Sequence, residues 1–90
     1  MAEWTVYILR CVDNSLYTGI ARNVDKRLNE HNNNNRLASA YTRARRPVKL
    51  VYQESHIDRS SASKREAEIK KMEKTEKEQL ILQQRTECIK

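Results

Sequence analysis

Apolar positions fall into short β-branched and aromatic runs in the first half of the chain and into helical spacing in the second. "WTVYILRC" (4–11) and "SLYTGI" (15–20) are two such runs separated by the turn-forming "DNS", which predicts a β-hairpin. "NVDKRLNEH" (23–31) offers Asn23 as an N-cap and Asp25 in the first turn, where it complements the helix dipole. A short helix is predicted there, ended by "NNNN" (32–35), which reads as a mobile low-complexity loop. "RLASAYTRARR" (36–46) predicts a second helix, stopped by Pro47, which lacks an N–H and restricts the residue before it. "VKLVYQE" (48–54) predicts a third strand. Helical spacing returns over "SSASKREAEIKKM" (60–72), and "TEKE" (75–78) is a capping-box pattern that starts a last helix through "QLILQQ".

The element order ββααβαα predicts an α+β domain with a small three-stranded, mostly antiparallel sheet flanked by helices. The expected organisation is one domain over residues 1–82 and a C-terminal tail over 83–90. With 90 residues, 38% apolar and no Phe, the core must be thin. At this size folding removes only roughly 60–65% of the unfolded chain's surface from water.

The formal charge of +6 is unevenly placed. Residues 21–50 carry eight positive and two negative charges, whereas 51–90 carry nine and eight. A concentrated basic region suits a polyanion, nucleic acid above all, because each phosphate neutralised releases counterions; a merely solvated basic surface is the alternative. Cys11 and Cys88 form no zinc-like spacing and read as reduced thiols. No signal peptide and no apolar run of about 20 residues is apparent, so a cytoplasmic protein without membrane contact is expected. No organic cofactor is called for, and a monomer is expected.

On the first helix Val24, Arg27, Leu28 and His31 share one face at i, i+3, i+4 and i+7. A charge beside the apolar pair must find a partner or line a cleft. Arg27 could instead snorkel to a surface carboxylate, and His31 could cap the helix end. On the later helix Glu66 falls between the apolar Ala62 and Ile69, unless "SKRE" (63–66) makes it part of a capping box. Tyr7 and Tyr17 share a sheet face if the hairpin loop has three residues, and lie on opposite faces if it has two.

Taken together, "VYI" with Tyr7, "YTG" (17–19), Arg27 and His31 on one helix and a lone Glu66 on a later one resemble the GIY-YIG nuclease superfamily. The similarity is to its short stand-alone bacterial members of unassigned role. "VYI" stands where the family has Gly-Ile-Tyr, Thr18 replaces Ile, and Ile20 occupies a place where some members carry Lys. The resemblance implies an endonuclease acting on DNA with low sequence specificity, in repair or recombination. It implies Glu66 as the ligand of one Mg²⁺ or Mn²⁺ and Arg27 as the phosphate-binding residue. Tyr17 would be the general base, Tyr7 an orienting phenol and His31 a hydrogen-bonding support. Gly19 would be a structural residue that lets the backbone approach substrate or a neighbouring helix. Arg43, Arg45, Arg46 and Lys49 would bind flanking phosphates. The rival readings are a nucleic-acid-binding module without catalysis and a protein-interaction domain that docks through the last helix.

Overall fold

The computed structural model describes the backbone of residues 4–89 and the side chains of 4–84; the Cys88 side chain and the last residue of the expected tail lie outside the described residues. Strands β1 (Trp4–Arg10), β2 (Leu16–Ala21) and β3 (Lys49–His56) form one antiparallel sheet in the order β2-β1-β3. Helices α1 (Val24–Asn33) and α2 (Ala40–Arg43) lie between β2 and β3, and α3 (Arg59–Lys71) and α4 (Lys74–Ile89) follow β3. This is the predicted α+β architecture and order.

Central strand β1 has both faces covered, which is why "VYIL" is an unbroken buried run instead of an alternating one. Val6 and Ile8 point to one side and pack with Tyr52, Ala62, Ile69 and Ile81, the last three from α3 and α4. Tyr7, Leu9 and Cys11 point to the other and pack with Ala21, Val24 and Val48. The thin core is thus two small clusters divided by the sheet.

The hairpin register pairs Tyr7 with Gly19 and Leu9 with Tyr17. Cys11 donates its N–H to the Ser15 carbonyl at 2.9 Å, leaving a three-residue loop of Val12, Asp13 and Asn14. Asn14 takes φ 69°, a left-handed conformation that Asn tolerates better than most residues. The odd loop puts Tyr7 and Tyr17 on the same face, settling the parity that the sequence left open.

Several local expectations are corrected. Asn23 does cap α1, accepting from the Lys26 N–H at 3.0 Å, but the helix runs to Asn33, two residues into the asparagine run. That run is built into the fold: Asn32 pairs with both backbone groups of Val48, and Asn34 accepts from the N–H groups of Arg36 and Leu37. The second helix shrinks to four residues, because Ser39 caps it and accepts from Thr42 N–H. Helix α3 is capped by Asp58, whose carboxylate accepts from Ser61 N–H at 2.8 Å, so "SKRE" is not a capping box and Glu66 sits well inside the helix. Helix α4 starts before Thr75, with Glu76 reaching back to the Glu73 N–H, and "TEKE" is not its cap. Glu78 instead makes a two-pronged ion pair with Arg10, at 2.6 and 2.8 Å. Helix α4 continues past residue 82, and its Gln84 amide pairs with both backbone groups of Gln53 on β3.

Candidate active site

Tyr7 is 1% exposed, and its ring lies across the strand partner Gly19. A Cβ built on Gly19 would meet the Tyr7 hydroxyl at 2.6 Å and the ring carbon bearing it at 2.8 Å. The one glycine of the chain therefore makes room for a phenol, whereas substrate or a helix was the expectation. Thr18, the neighbour of Gly19, turns to the other face and buries its hydroxyl without a hydrogen-bond partner.

The Tyr7 hydroxyl is 3.0 Å from Nε2 of His31, which is fully buried in the third turn of α1. The other imidazole nitrogen, Nδ1, is 2.7 Å from Oγ1 of Thr42 in α2. Thr42 donates to the Ser39 carbonyl at 3.2 Å, an acceptor with no hydrogen of its own. Its oxygen therefore accepts from His31 Nδ1–H, which leaves Nε2 as the acceptor for the Tyr7 hydroxyl. Burial, reinforced by the charges of Arg27 and Arg46, pushes His31 down to about 4, so the imidazole is neutral at pH 7. Burial, with Tyr17 nearby, pushes the Tyr7 phenol up to about 12 against the opposing charge of Arg27. Both members of the pair rest uncharged.

Tyr17 is half-buried and sets its ring against His31, with centroids 5.3 Å apart in an edge-on arrangement. Its other neighbour is the exposed Tyr41, stacked at 6.0 Å and 27°. Arg45 covers Tyr41, with its guanidinium carbon 3.9 Å from the ring centroid. Neither Thr42 nor Tyr41 stands out in the sequence as a site residue. The only local signal is Ser39 as a helix cap three residues before Thr42.

Arg27 bonds Glu30 at 3.1 Å and the Leu37 carbonyl at 2.7 Å through one guanidinium nitrogen. These bonds hold its charge where both Tyr7 and His31 feel it. Glu66 comes from the opposite side of the sheet, on α3, which packs across β1 and β2. Its charge nonetheless contributes to raising Tyr7, and its side chain is 23% exposed, paired with Lys70 at 3.4 Å. Tyr7, Tyr17 and His31 thus form one packed cluster with Arg27 beside it, and Glu66 lies across the sheet on α3. A cavity of about 460 Å³ is lined elsewhere, by His56 at the end of β3 and by residues that include Asp58, Ser61 and Arg65.

A single half-buried carboxylate fits a hard cation that keeps an open shell for water and a phosphate oxygen. Among the described residues no three His, Cys, Asp or Glu side chains group tightly enough to enclose a metal, so any ion here would lean on Glu66 and the substrate.

The residues expected to bind flanking phosphates divide. Lys49 and Arg43 are exposed, although Arg43 also reaches the Asn35 carbonyl at 2.8 Å. Arg45 pairs with Asp13 at 3.1 Å. Arg46 is committed to the fold: its Nε donates to the His31 carbonyl and one terminal nitrogen to Asn35, both at 2.7 Å, while the other is buried.

A three-stranded sheet with a tyrosine on each of two paired strands, and Arg, His and Glu delivered by flanking helices, is the arrangement of a GIY-YIG domain. The chain belongs to that family: residues 3–79 match the GIY-YIG catalytic domain. It is 51% identical over 78 residues to a UPF0213 protein of Desulfotalea psychrophila, covering 87% of this chain and 70% of that one. A UPF0213 protein of Syntrophus aciditrophicus is 52% identical over 83 residues, covering 92% and 94%. The solution NMR structure of UPF0213 protein BH0048 from Bacillus halodurans matches with a TM-score of 0.55 and 37% identity, over 87% of this chain and 81% of that one. The domain places the chain in a nuclease superfamily. No helix among the described residues is long and apolar enough to cross a membrane.

Proposed function

We propose that the protein is a metal-dependent endonuclease that hydrolyses DNA phosphodiester bonds with low sequence specificity. The observation that carries this reading is the buried neutral His31 accepting from Tyr7, with Tyr17 edge-on to the same imidazole and the charges of Arg27 and Glu66 reaching the same phenol. Two phenols, a neutral imidazole and a guanidinium beside β2, with a carboxylate on α3 whose charge reaches the same phenol, are the kind of groups that active sites assemble.

Arg27 would bind a non-bridging oxygen of the scissile phosphate and offset the charge that grows there. Tyr17, the half-exposed phenol, would give its hydroxyl proton to solvent and take one from the attacking water as the water's oxygen bonds to phosphorus. The bond from phosphorus to the 3′ oxygen breaks, and that oxygen leaves with a proton from solvent. Tyr7 stays a phenol, since burial opposes its ionisation; held by His31, it would orient the water or the phosphate. His31 acts through Tyr7, and Thr42 through His31. Glu66 would hold a Mg²⁺ or Mn²⁺, which supplies, when bound, positive charge at the phosphate and leaving oxygen. Lys49 and Arg43 would bind flanking phosphates without reading sequence.

The test is Glu66→Gln, assayed on supercoiled and branched DNA with Mg²⁺ or Mn²⁺. Because α3 is capped by Asp58, the exchange should leave melting temperature and DNA binding nearly unchanged while cleavage falls by about 10²-fold or more. Cleavage at the wild-type rate would remove Glu66 from the reaction, and a wild type that binds but never cuts would leave only a binding module.

A further inference from the structure

Edge strand β2 carries a guanidinium-on-aromatic pair beside each of its ends. Beside Tyr17, near the start of the strand, Arg45 lies on Tyr41. Past Ala21, at the other end, two arginines approach one indole: Arg22 is 5.9 Å and Arg59 5.5 Å from the Trp4 ring centroid. Trp4 is half-buried at the start of β1, and both arginines are exposed. Nothing in the chemistry proposed above uses this trio.

One helix face ties it to the site. Arg59 and Glu66 are seven residues apart on α3, hence on one helix face and about 10 Å apart at 1.5 Å per residue. Over that span a strand of a duplex presents more than one phosphate, so the trio would meet a neighbour of the phosphate near Glu66.

We propose that Trp4, Arg22 and Arg59 form a second phosphate-binding platform, which holds the nucleic-acid backbone on the Ala21 side of the cut while the Tyr41–Arg45 platform flanks the other side. The proposal rests on the endonuclease reading and adds to it the path of the substrate along β2. The indole would lay out the two guanidiniums by cation–π attraction, so that each meets a phosphate with little ordering left to do. Asp58, the acid next to Arg59, spends a carboxylate oxygen on the Ser61 N–H of its helix.

Trp4 is the one tryptophan of the chain, so its emission reports on this platform alone. The experiment titrates a fluorescein-labelled DNA duplex in EDTA, where no cutting occurs, and follows both anisotropy and Trp4 emission. Emission should change with the same saturation curve as the anisotropy. Arg22→Gln with Arg59→Gln should flatten the slope of log affinity against log salt by about two, one for each phosphate that is no longer neutralised. In the Mg²⁺ cleavage assay the pair should raise KM and leave kcat near its wild-type value. The single variants, both at exposed positions, guard against a folding defect, and each should give about half of the slope change. A duplex that binds without altering Trp4 emission, with an unchanged slope in the double variant, overturns the platform and leaves the endonuclease reading standing. A wild type that binds no duplex overturns both.

Discussion

Gly19 and Tyr7 face each other across the β1–β2 ladder so closely that any side chain on Gly19 would occupy the place of the Tyr7 hydroxyl. The phenol cannot swing away, because it is 1% exposed and tied to the buried His31. Gly19→Ala should therefore destabilise the fold by about 1–3 kcal/mol, the usual cost of overpacking, and abolish cleavage by breaking the Tyr7–His31 hydrogen bond. Tyr7→Phe removes the atom nearest the new methyl. Thermal unfolding of both single variants and the double should show a coupling of about 0.5–3 kcal/mol, with the second change costing less in the presence of the first. Additive losses would mean that the two positions do not share this space.

His31 makes the fold sensitive to mild acid. Its imidazole lies at about 4 in the folded protein and at the ordinary 6.5 when unfolded. Below pH 6.5 the unfolded chain binds a proton that the folded one refuses, so stability falls as pH drops towards about 4 and this contribution then levels off. Melting temperatures across that range should decline more steeply for the wild type than for His31→Gln. Glu78, held down to about 2 by the Arg10 hydrogen bonds, also loses a stabilising contribution in acid. That loss begins near its ordinary 4.5 and continues below the His31 window, which keeps the two separable.

Thr42 is the residue through which α2 acts on the site. It is fully buried, and Thr42→Val keeps its shape while leaving the His31 Nδ1–H without an acceptor. A loss of about 1–3 kcal/mol is expected from that buried unsatisfied donor. The imidazole would then be free to turn, so cleavage should fall as well, and Thr42→Ser should recover most of both. Equal losses for Val and Ser would assign Thr42 to packing, without a role in setting the tautomer.

The five candidate residues were singled out by the resemblance to the GIY-YIG family; periodicity alone placed Arg27 and His31 on one helix face and Glu66 between two apolar residues of another. Their geometry was less legible. Whether the phenols share a face turned on one loop residue, and Asn14 could serve a two- or a three-residue turn. Neither capping-box pattern is a cap: the second half is crowded with Ser, Thr and Glu, so "SKRE" falls inside α3 and "TEKE" begins one residue into α4. Asp58 and the Glu76 carboxylate do that work instead. Thr42 went unseen because a four-residue helix has no periodicity to read. Gly19 announced a close approach, but only the strand register could name Tyr7 as its cause.

The last prediction separates the arginines of the basic stretch by what they touch. Arg46 donates to the carbonyl of His31 and to Asn35, which ties the end of α1 to the loop before β3. Removing it leaves that carbonyl without its donor beneath the imidazole that positions Tyr7. Arg46→Ala should therefore lower stability by about 1–3 kcal/mol, the range for charge-assisted hydrogen bonds and the acceptors they leave behind. Lys49 is exposed on β3, and Lys49→Ala should leave the melting temperature nearly unchanged. If Lys49 meets a flanking phosphate, its removal should flatten the salt dependence of DNA affinity by about one unit. Melting curves and salt titrations on the two variants decide the matter. A stable Arg46→Ala with a flattened salt slope would make Arg46 a phosphate-binding residue, and would mean that its bonds to α1 give way when DNA is bound.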